Sequence, residues 1–232
     1  MGRQGQGYQM QNYKRIEPAS QTAFPIARPG VPFIAAAAFA TAVLALLGIT
    51  ILALLGLLAT LFICYFFRDP DRMIPDMPGA IVSPADGKVI RVEQLPQSPY
   101  TTGPCRKISI FMSIFNVHVN RIPFDGRIKQ VAYYPGKFFS ANLDKASQLN
   151  EHNAVYLQTD TNKDICFVQI AGLVARRIIC NIQAGDIVVR GRRFGLICFG
   201  SRLDVYLPEE ASVEVNTGDI VKAGTSVIGQ LA

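Results

Sequence analysis

The dipeptide Gly200-Ser201 is the place in this sequence where the backbone could rearrange into a reactive group. Glycine has no Cβ, so a hydroxyl can approach its carbonyl carbon and the backbone can take unusual angles. The Ser201 hydroxyl could attack that carbonyl and replace the amide with an ester, given a base and donors for the oxyanion. Elimination at the former serine would leave dehydroalanine, which hydrolyses to a pyruvoyl group. A Gly-Ser pair is also common in ordinary turns, so its context must decide.

Two other residues have side chains that suit proton transfer. His118 lies in a run that is typical of a strand and leads into Arg121, and imidazole titrates near neutral pH. A histidine in such a run is also often a hydrogen-bonded core residue. Asp86 lies in a Pro-Ala-Asp-Gly turn, where an aspartate ordinarily bonds to its own backbone. Spacing alone leaves a structural and a catalytic role open for both.

The elements that must position these residues are predicted to be strands. After Arg68, short runs rich in Val and Ile recur between Gly, Pro and Asp turns. Strands are predicted at 107–112, 127–134, 154–159, 165–170, 176–182, 194–199, 203–207 and 226–231, with turns at 84–87, 124–126, 184–186 and 217–219. Residues 68–232 are therefore predicted to form a mainly β, barrel-like catalytic domain.

A short repeat refines this fold prediction. Gly-Asp-Ile-Val occurs at 185–188 and again at 218–221, and each copy is followed by a further glycine, Gly191 or Gly224. Paired turns of this kind resemble barrel-sandwich hybrid domains, the lipoyl and biotinyl carrier type.

The N-terminal quarter has a different composition. Residues 1–28 are polar, Gln/Gly-rich and basic, and are predicted to be a flexible arm. Residues 29–67 contain no charge, whereas a membrane span needs about 20 apolar residues. This anchor could be a hairpin of two short helices turning between Gly48 and Gly56, or one long tilted span. Its length argues against a secretory signal.

Charge and composition restrict where the chain acts and on what. Basic residues flank the apolar segment on both sides, which favours a transmembrane hairpin with both ends, and the catalytic domain, on the cytoplasmic side of the cell membrane. The net charge of +6 fits an anionic lipid surface. Aromatic and basic residues do not interleave, so no nucleic acid partner is predicted. Five cysteines without C-x-x-C spacing and only two histidines predict neither a disulfide framework nor a metal site.

The order of several short motifs resembles one enzyme family. The motifs are Phe-Arg-Asp-Pro (67–70), Ser-Pro-Ala-Asp-Gly (83–87), Phe-Asn-Val-His-Val-Asn-Arg-Ile-Pro (115–123), Tyr-Pro-Gly-Lys-Phe (134–138), Asn-Glu-His-Asn (150–153) and Phe-Gly-Ser (199–201). Each is weak alone. Together, after a membrane anchor, they are similar to the short (type A) form of the phosphatidylserine decarboxylase proenzymes, which are lyases of phospholipid biosynthesis.

The resemblance implies a zymogen that cuts itself without hydrolysis between Gly200 and Ser201. The products would be a β chain, 1–200, and an α chain, 201–232, which stay together as a heterodimer. A covalent pyruvoyl cofactor made from Ser201 would cap the α chain. Its ketone would form a Schiff base with the amine of phosphatidylserine in the membrane, release CO2 and yield phosphatidylethanolamine. Higher oligomers are left open.

The resemblance also implies roles for individual residues. Asp86 would orient a histidine beside Ser201, and His118 would transfer protons. Longer relatives have a second histidine where this chain has Arg121, so His118 would serve both cleavage and decarboxylation, or His152 would help. We hypothesise that Arg121 holds the lipid phosphate or carboxylate. His152 and Lys137 are further candidates for substrate binding, although both also fit solvated turns.

Three alternatives remain at this stage. An archaetidylserine, which has ether chains and a serine headgroup, would need the same site. Another pyruvoyl-dependent decarboxylase could act on a soluble amino acid, although the apolar segment argues against it. A membrane-tethered hybrid barrel could also be a non-enzymatic carrier or adaptor, but carriers modify a lysine often flanked by methionines, and no Met-Lys-Met occurs here.

Overall fold

The computed structural model describes residues 25–141, 149–173, 177–198 and 200–231. Most of the predicted N-terminal arm therefore lies outside the described residues, as does Phe199. Within them, a 3-10 turn (Arg28–Gly30) precedes the helices α1 (Val31–Leu46) and α2 (Thr50–Phe66). The strands are β1 (Ala80–Val82), β2 (Gly87–Leu95), β3 (Cys105–Met112), β4 (Val119–Arg121), β5 (Gly126–Tyr134), β6 (His152–Gln158), β7 (Asp164–Ile170), β8 (Ile178–Cys180), β9 (Ile187–Val188), β10 (Arg193–Ile197), β11 (Ser201–Pro208), β12 (Ser212–Val213), β13 (Ile220–Val221) and β14 (Val227–Gln230).

The two helices form an antiparallel apolar pair. Gly48, in the left-handed region with φ of 73°, turns the chain between them, and Thr41 of α1 hydrogen-bonds Thr60 of α2 over 3.3 Å. One described helical stretch, Arg28–Leu46, is long and apolar enough to cross a membrane, whereas α2 has 17 residues and falls short of that length. The apolar segment is thus helical, and its two ends meet where the Ala27 N–H donates to the Phe67 carbonyl.

The rest of the described chain is mainly β, as predicted. Eight antiparallel strands, in the order β13-β2-β3-β11-β7-β6-β5-β9, curl into a half-barrel, and two three-stranded sheets, β1-β14-β12 and β4-β10-β8, accompany it. The alternation of strand side chains decides what each face buries. In β11, Leu203, Val205 and Leu207 enter the main apolar core, and Arg202 and Asp204 point to the opposite face.

The Gly-Asp-Ile-Val repeat occupies equivalent places at the two ends of the large sheet. Its copies form β9, which pairs with β5, and β13, which pairs with β2. Gly185 and Gly218 begin them with φ values of 95° and 109°, a conformation that favours glycine. In each turn the aspartate, Asp186 or Asp219, accepts the backbone N–H three residues before it.

Each repeat is bound by an aspartate from a Pro-x-Asp-Gly turn. Asp86 accepts the backbone N–H of Ala223 at 2.7 Å, and Asp125 accepts that of Arg190 at 2.8 Å. Both donors immediately precede the glycine that ends a repeat. Asp86 and Asp125 therefore perform the same structural task in two halves of the domain.

Backbone hydrogen bonds between the halves confirm this local two-fold relation. Val82 donates to the carbonyl of Pro123, and Arg121 donates to that of Pro84, both at 2.9 Å. The two Pro-x-Asp-Gly turns are therefore arranged reciprocally, and each of them contacts one copy of the repeat.

We expect Asp125→Ala to lower the free energy of unfolding by about 1 kcal/mol, the value of one hydrogen bond. Its carboxylate secures the Arg190 N–H of the first repeat and is about half exposed. Thermal unfolding in detergent measures the change, and Asp160→Ala, at an exposed aspartate of the β6–β7 turn, is the control. Equal stability of the two variants would contradict a structural role for Asp125.

Candidate active site

The Gly200-Ser201 bond lies at the entry to the central strand β11. Gly200 has a φ of 62°, in the left-handed region that glycine adopts without strain. Ser201 is the first residue of β11 and pairs with Met112 of β3. Its hydroxyl is fully buried and has no hydrogen-bond partner among the described residues. A buried hydroxyl without a partner costs free energy, which points to a functional reason for its position.

His118 presents a second buried atom without a partner. Its Nδ1–H donates to the Asn116 carbonyl at 2.9 Å, which leaves Nε2 as the acceptor of a neutral ring. Nε2 is buried and unpaired among the described residues. Burial lowers the pKa of His118 to about 4, and the positive charge of Arg68 adds to that lowering, while the Asn116 hydrogen bond opposes it. The imidazole is therefore neutral near pH 7.

Two strand pairs bring His118 and Ser201 into the same region. His118 immediately precedes β4, and its carbonyl accepts the backbone N–H of Ile197 at the end of β10. From Ile197 the chain needs only three residues to reach Gly200. On the other side, β3 pairs with β11 and leads through Asn116 to His118. His118 and Ser201 are 83 positions apart in the sequence, and the strand pairing brings their segments together.

The end of helix α2 covers His118. The ring of Phe66 lies 4.3 Å from the imidazole centroid, and Phe66 and Phe67 are buried with Val119 and Leu196 in a separate apolar cluster. This packing removes water from the histidine and explains the lowered pKa. The apolar helices thus meet the barrel at the candidate site.

Among the described residues, Asp86 does not bind the histidine beside Ser201, as the resemblance implied, but has two other partners. One carboxylate oxygen accepts the Ala223 N–H and the other pairs with Arg72 at 2.8 Å. In the part of the chain that the structure describes, no hydrogen bond links Asp86 to His118 or Ser201. Asp86 is nevertheless buried beside strand β4, since Pro84 accepts the backbone N–H of Arg121.

Arg121 is buried and bound to the protein itself. Its guanidinium donates to the carbonyls of Gly191 and Pro70 at 2.9 and 3.0 Å, and lies 3.5 Å from Asp69. Burial lowers its pKa to about 10, with the nearby Arg193 as a further cause, so it stays cationic at neutral pH. These contacts favour a positioning role over the hypothesised contact with the lipid.

Residues 68–72 form a charged linker between α2 and the barrel, and the Phe-Arg-Asp-Pro motif at 67–70 gave no prediction of this role. Arg193 binds Asp69 at 2.6 Å and Asp71 at 2.9 Å, and Arg72 binds Asp86. The alternating charges of Arg-Asp-Pro-Asp-Arg directly after an apolar segment are the signal that could have revealed it. The linker fixes the helices to the strands that carry the candidate site.

His152 lies apart from Ser201. Its Nδ1–H donates to the Asn150 carbonyl at 2.7 Å, its Nε2 and the Tyr100 hydroxyl are 3.1 Å apart, and Tyr134 stacks on it at 4.8 Å. In the sheet register it shares a face with Ile170 and Arg202, whereas Ser201 points to the other face. The structure therefore does not bring His152 to the Gly200-Ser201 bond.

Lys137 lies in an exposed segment after β5. It is tied there by its backbone, whose N–H donates to Leu149 and whose carbonyl accepts the N–H of Glu151. The described contacts place its side chain in no polar cluster with Ser201 or His118, so its proposed role in binding stays a prediction.

Buried amides form a neutral network beside Ser201 that sequence patterns did not reveal. Gln169 donates to Asn120 at 2.9 Å and accepts from Asn153 at 3.1 Å, and Asn120 approaches the sulfur of Met112, the strand partner of Ser201. All three amides are buried. Amides in strands ordinarily face solvent, which is why their types alone gave no signal.

Comparison with known proteins gives the family. The phosphatidylserine decarboxylase family model matches residues 59–229. The chain belongs to the phosphatidylserine decarboxylase family. It is similar to the phosphatidylserine decarboxylase proenzymes of Desulfotalea psychrophila, with 49% identity over 91% of this chain and 99% of the relative, and of Syntrophus aciditrophicus, with 51% identity over 88% and 96%. The proenzyme of Nitrosomonas eutropha is 46% identical over 88% of this chain and 94% of the relative. The resemblance inferred from the motifs is confirmed.

We expect His118 to remain neutral down to about pH 4. In the unfolded chain its pKa is near 6.5, so acid protonates the unfolded state first. The contribution of the neutral His118 ring to the free energy of unfolding is fully present above about pH 6.5. It is lost as the pH falls towards 4, by up to about 1.4 kcal/mol per pH unit.

Imidazole NMR between pH 7 and 4 measures this titration, with the His152→Gln variant assigning the signal of the remaining histidine. As the pH is lowered over the same range, the midpoint temperature of thermal unfolding should fall more steeply for the wild type than for His118→Asn. A midpoint near 6.5 for the His118 signal would contradict the buried, neutral ring.

Proposed function

We propose that this chain is a phosphatidylserine decarboxylase, a carboxy-lyase that converts phosphatidylserine into phosphatidylethanolamine after cutting itself between Gly200 and Ser201. The observation that carries the proposal is the buried Ser201 hydroxyl, which lacks a partner among the described residues and directly follows a left-handed glycine. The family of the chain supports the same reaction.

The cleavage uses atoms that the chain supplies. The Ser201 oxygen bonds to the Gly200 carbonyl carbon, the C–N bond breaks, and the hydroxyl proton passes to the freed amine. A proton then leaves the Cα of residue 201 while Gly200 departs as a carboxylate, which takes the serine oxygen with it. Water hydrolyses the resulting enamine and releases ammonia, so that a pyruvoyl group caps the chain that begins at residue 201.

The surroundings of Ser201 fit such a group. A pyruvoyl ketone supplies an electron sink for the loss of CO2 from an amino acid headgroup. His118 offers a neutral Nε2 that can accept a proton during cleavage. The same atom could later deliver a proton to the carbon that has lost CO2. The buried amides Asn120 and Gln169 add hydrogen-bonding groups there without adding charge. Asp86 would act through its turn and through Arg72, as a positioning residue.

The sheet would keep the two products together. β11 is bonded to β3 on one side and to β7 on the other, and Asp86 binds the Ala223 N–H across the two chains. We propose that the β chain, 1–200, and the α chain, 201–232, form this heterodimer, and that the repeats give it the architecture of a barrel-sandwich hybrid.

The helices are proposed to enter the membrane as a hairpin. At 1.5 Å per residue, α1 is about 24 Å and α2 about 26 Å long, less than the roughly 30 Å of a bilayer core. Their exposed faces and the turn with Leu46, Leu47 and Ile49 are apolar. The hairpin would insert from the cytoplasmic side and return to it, with Arg68 at its base. Because Phe66 packs on His118, the site would lie at the depth of the lipid headgroups.

The direct test is the mass of the denatured protein. We expect two wild-type chains divided after Gly200, with the small chain lighter than its sequence mass by one ammonia. Ser201→Ala should stay whole, because it lacks the attacking oxygen, and should release no CO2 from phosphatidylserine vesicles. A single uncut wild-type chain without decarboxylase activity would overturn the proposal.

A comparison of the two equivalent aspartates tests whether Asp86 does more than hold its turn in place. Asp86→Ala and Asp125→Ala each remove one hydrogen bond to a repeat, but only Asp86 also binds Arg72 and is buried. We expect Asp86→Ala to slow self-cleavage on the order of 100-fold, the cost of displacing a reacting group by about 1 Å. Asp125→Ala should cleave at the wild-type rate. Equal rates in time courses of intact mass would reduce Asp86 to a turn residue.

A further inference from the structure

The carbonyl of Gly200 lies directly against the Cα of Gly172. A Cβ placed on Gly172 would overlap the Gly200 carbonyl oxygen and would come within 3.0 Å of its carbon. The next atom it would meet is the Cβ of Ala141, at 3.4 Å. The bond proposed to break is therefore in contact with a residue 28 positions earlier in the chain, two residues after the end of β7.

The segment that carries Gly172 is fixed by its neighbours. Ala171 donates its backbone N–H to Glu151 at 2.9 Å, and its carbonyl accepts the buried side chain of Asn150 at 2.7 Å. Ile170 pairs with Arg202, one residue after Ser201. Because both sides of the contact are held, a new methyl group could not be accommodated by a small shift of Gly172 alone.

The reason for glycine at this position is space. Gly200 needs its left-handed conformation, with φ of 62°, but no positive φ is recorded for Gly172. Alanine at 172 would meet no conformational penalty of that kind. It would meet the backbone oxygen of the Gly200-Ser201 peptide, and this oxygen cannot move aside as the end of a flexible side chain can, because the peptide leads directly into the paired residue Ser201.

We propose that Gly172 is a positioning residue for self-cleavage: its missing side chain lets the Gly200 carbonyl lie where the Ser201 oxygen can reach the carbon. A side chain there would rotate the peptide plane of the Gly200-Ser201 bond and change the line of attack. This inference rests on the proposed function, since it concerns the same bond.

The test compares rates of self-cleavage in full-length protein. We expect Gly172→Ala to cleave on the order of 100-fold more slowly than the wild type, because a misplacement of about 1 Å at a reacting centre costs that factor. Leu173→Ala, at the next residue with its side chain 60% exposed, should cleave at the wild-type rate. Time courses of intact mass after synthesis give the rates, and far-UV circular dichroism with thermal unfolding verifies the fold.

A double variant identifies the atom responsible. Gly172→Ala with Ala141→Gly removes the nearest side-chain atom that the described residues place beside the added methyl, and leaves the carbonyl in place. We expect the double variant to cleave as slowly as Gly172→Ala. Recovery of the wild-type rate would overturn the proposal, because it would assign the effect to crowding by Ala141.

If Gly172→Ala does not fold, the contact can still be tested in a protein that keeps Gly172. In the uncleavable Ser201→Ala protein, solid-state NMR can give the distance between the Gly172 Cα and the Gly200 carbonyl carbon. We expect van der Waals contact, and a separation well beyond about 4.5 Å would overturn the proposal. Wild-type rates in folded Gly172→Ala would also overturn it. A wild-type chain that stays whole would instead remove the proposed function, so the two failures are distinguishable.

Discussion

The position of β11 between β3 and β7 is the constraint on which the rest of the structure depends. Ser201 begins this strand, and a ladder of hydrogen bonds on each side fixes its register. A shift by one residue would turn Leu203 out of the core and put the charged side chain of Arg202 or Asp204 in its place. The strand therefore aims the Ser201 hydroxyl at the interior and Arg202 at the other face. The same ladders would hold the strand in place after the proposed cleavage, so that cleavage would not disrupt the sheet.

Apolar packing must offset the polar groups that this arrangement buries. The Ser201 hydroxyl and the His118 Nε2 each lack a partner among the described residues, a cost of about 1–3 kcal/mol per group. Phe66 closes over the histidine, and the apolar core lies beside the serine. The linker at 68–72 adds ion pairs that keep the helices seated, among them Arg193 with Asp69. Stability elsewhere in the chain thus maintains a site that is locally unfavourable.

Sequence patterns predicted what depends on local residue types, and missed what depends on distant contacts. The runs at 107–112 and 203–207 correspond to Cys105–Met112 and Ser201–Pro208. β2, Gly87–Leu95, was missed because charged residues interrupt its apolar pattern. Motifs and resemblance pointed to Ser201 and His118. The partners of Asp86 were not predictable, because Ala223 lies 137 residues away and only the two-fold arrangement of the turns brings it there.

The two-fold arrangement also suggests why the site occurs only once. The fold builds the same turn twice, with Asp86 and Asp125 bonded alike to the two repeats. The two halves differ in the residues that cover their Pro-x-Asp-Gly turns. Linker residue Arg72 covers Asp86, whereas the side chain of Asp125 is half exposed. Phe66 of α2 also packs on His118, so the helix pair and the linker contact the half that carries Asp86 and His118, whereas the turn of Asp125 stays half exposed. The last residue of α2, Phe66, lies on the imidazole, and this contact makes the helix pair part of the candidate site and not only a segment attached to the barrel.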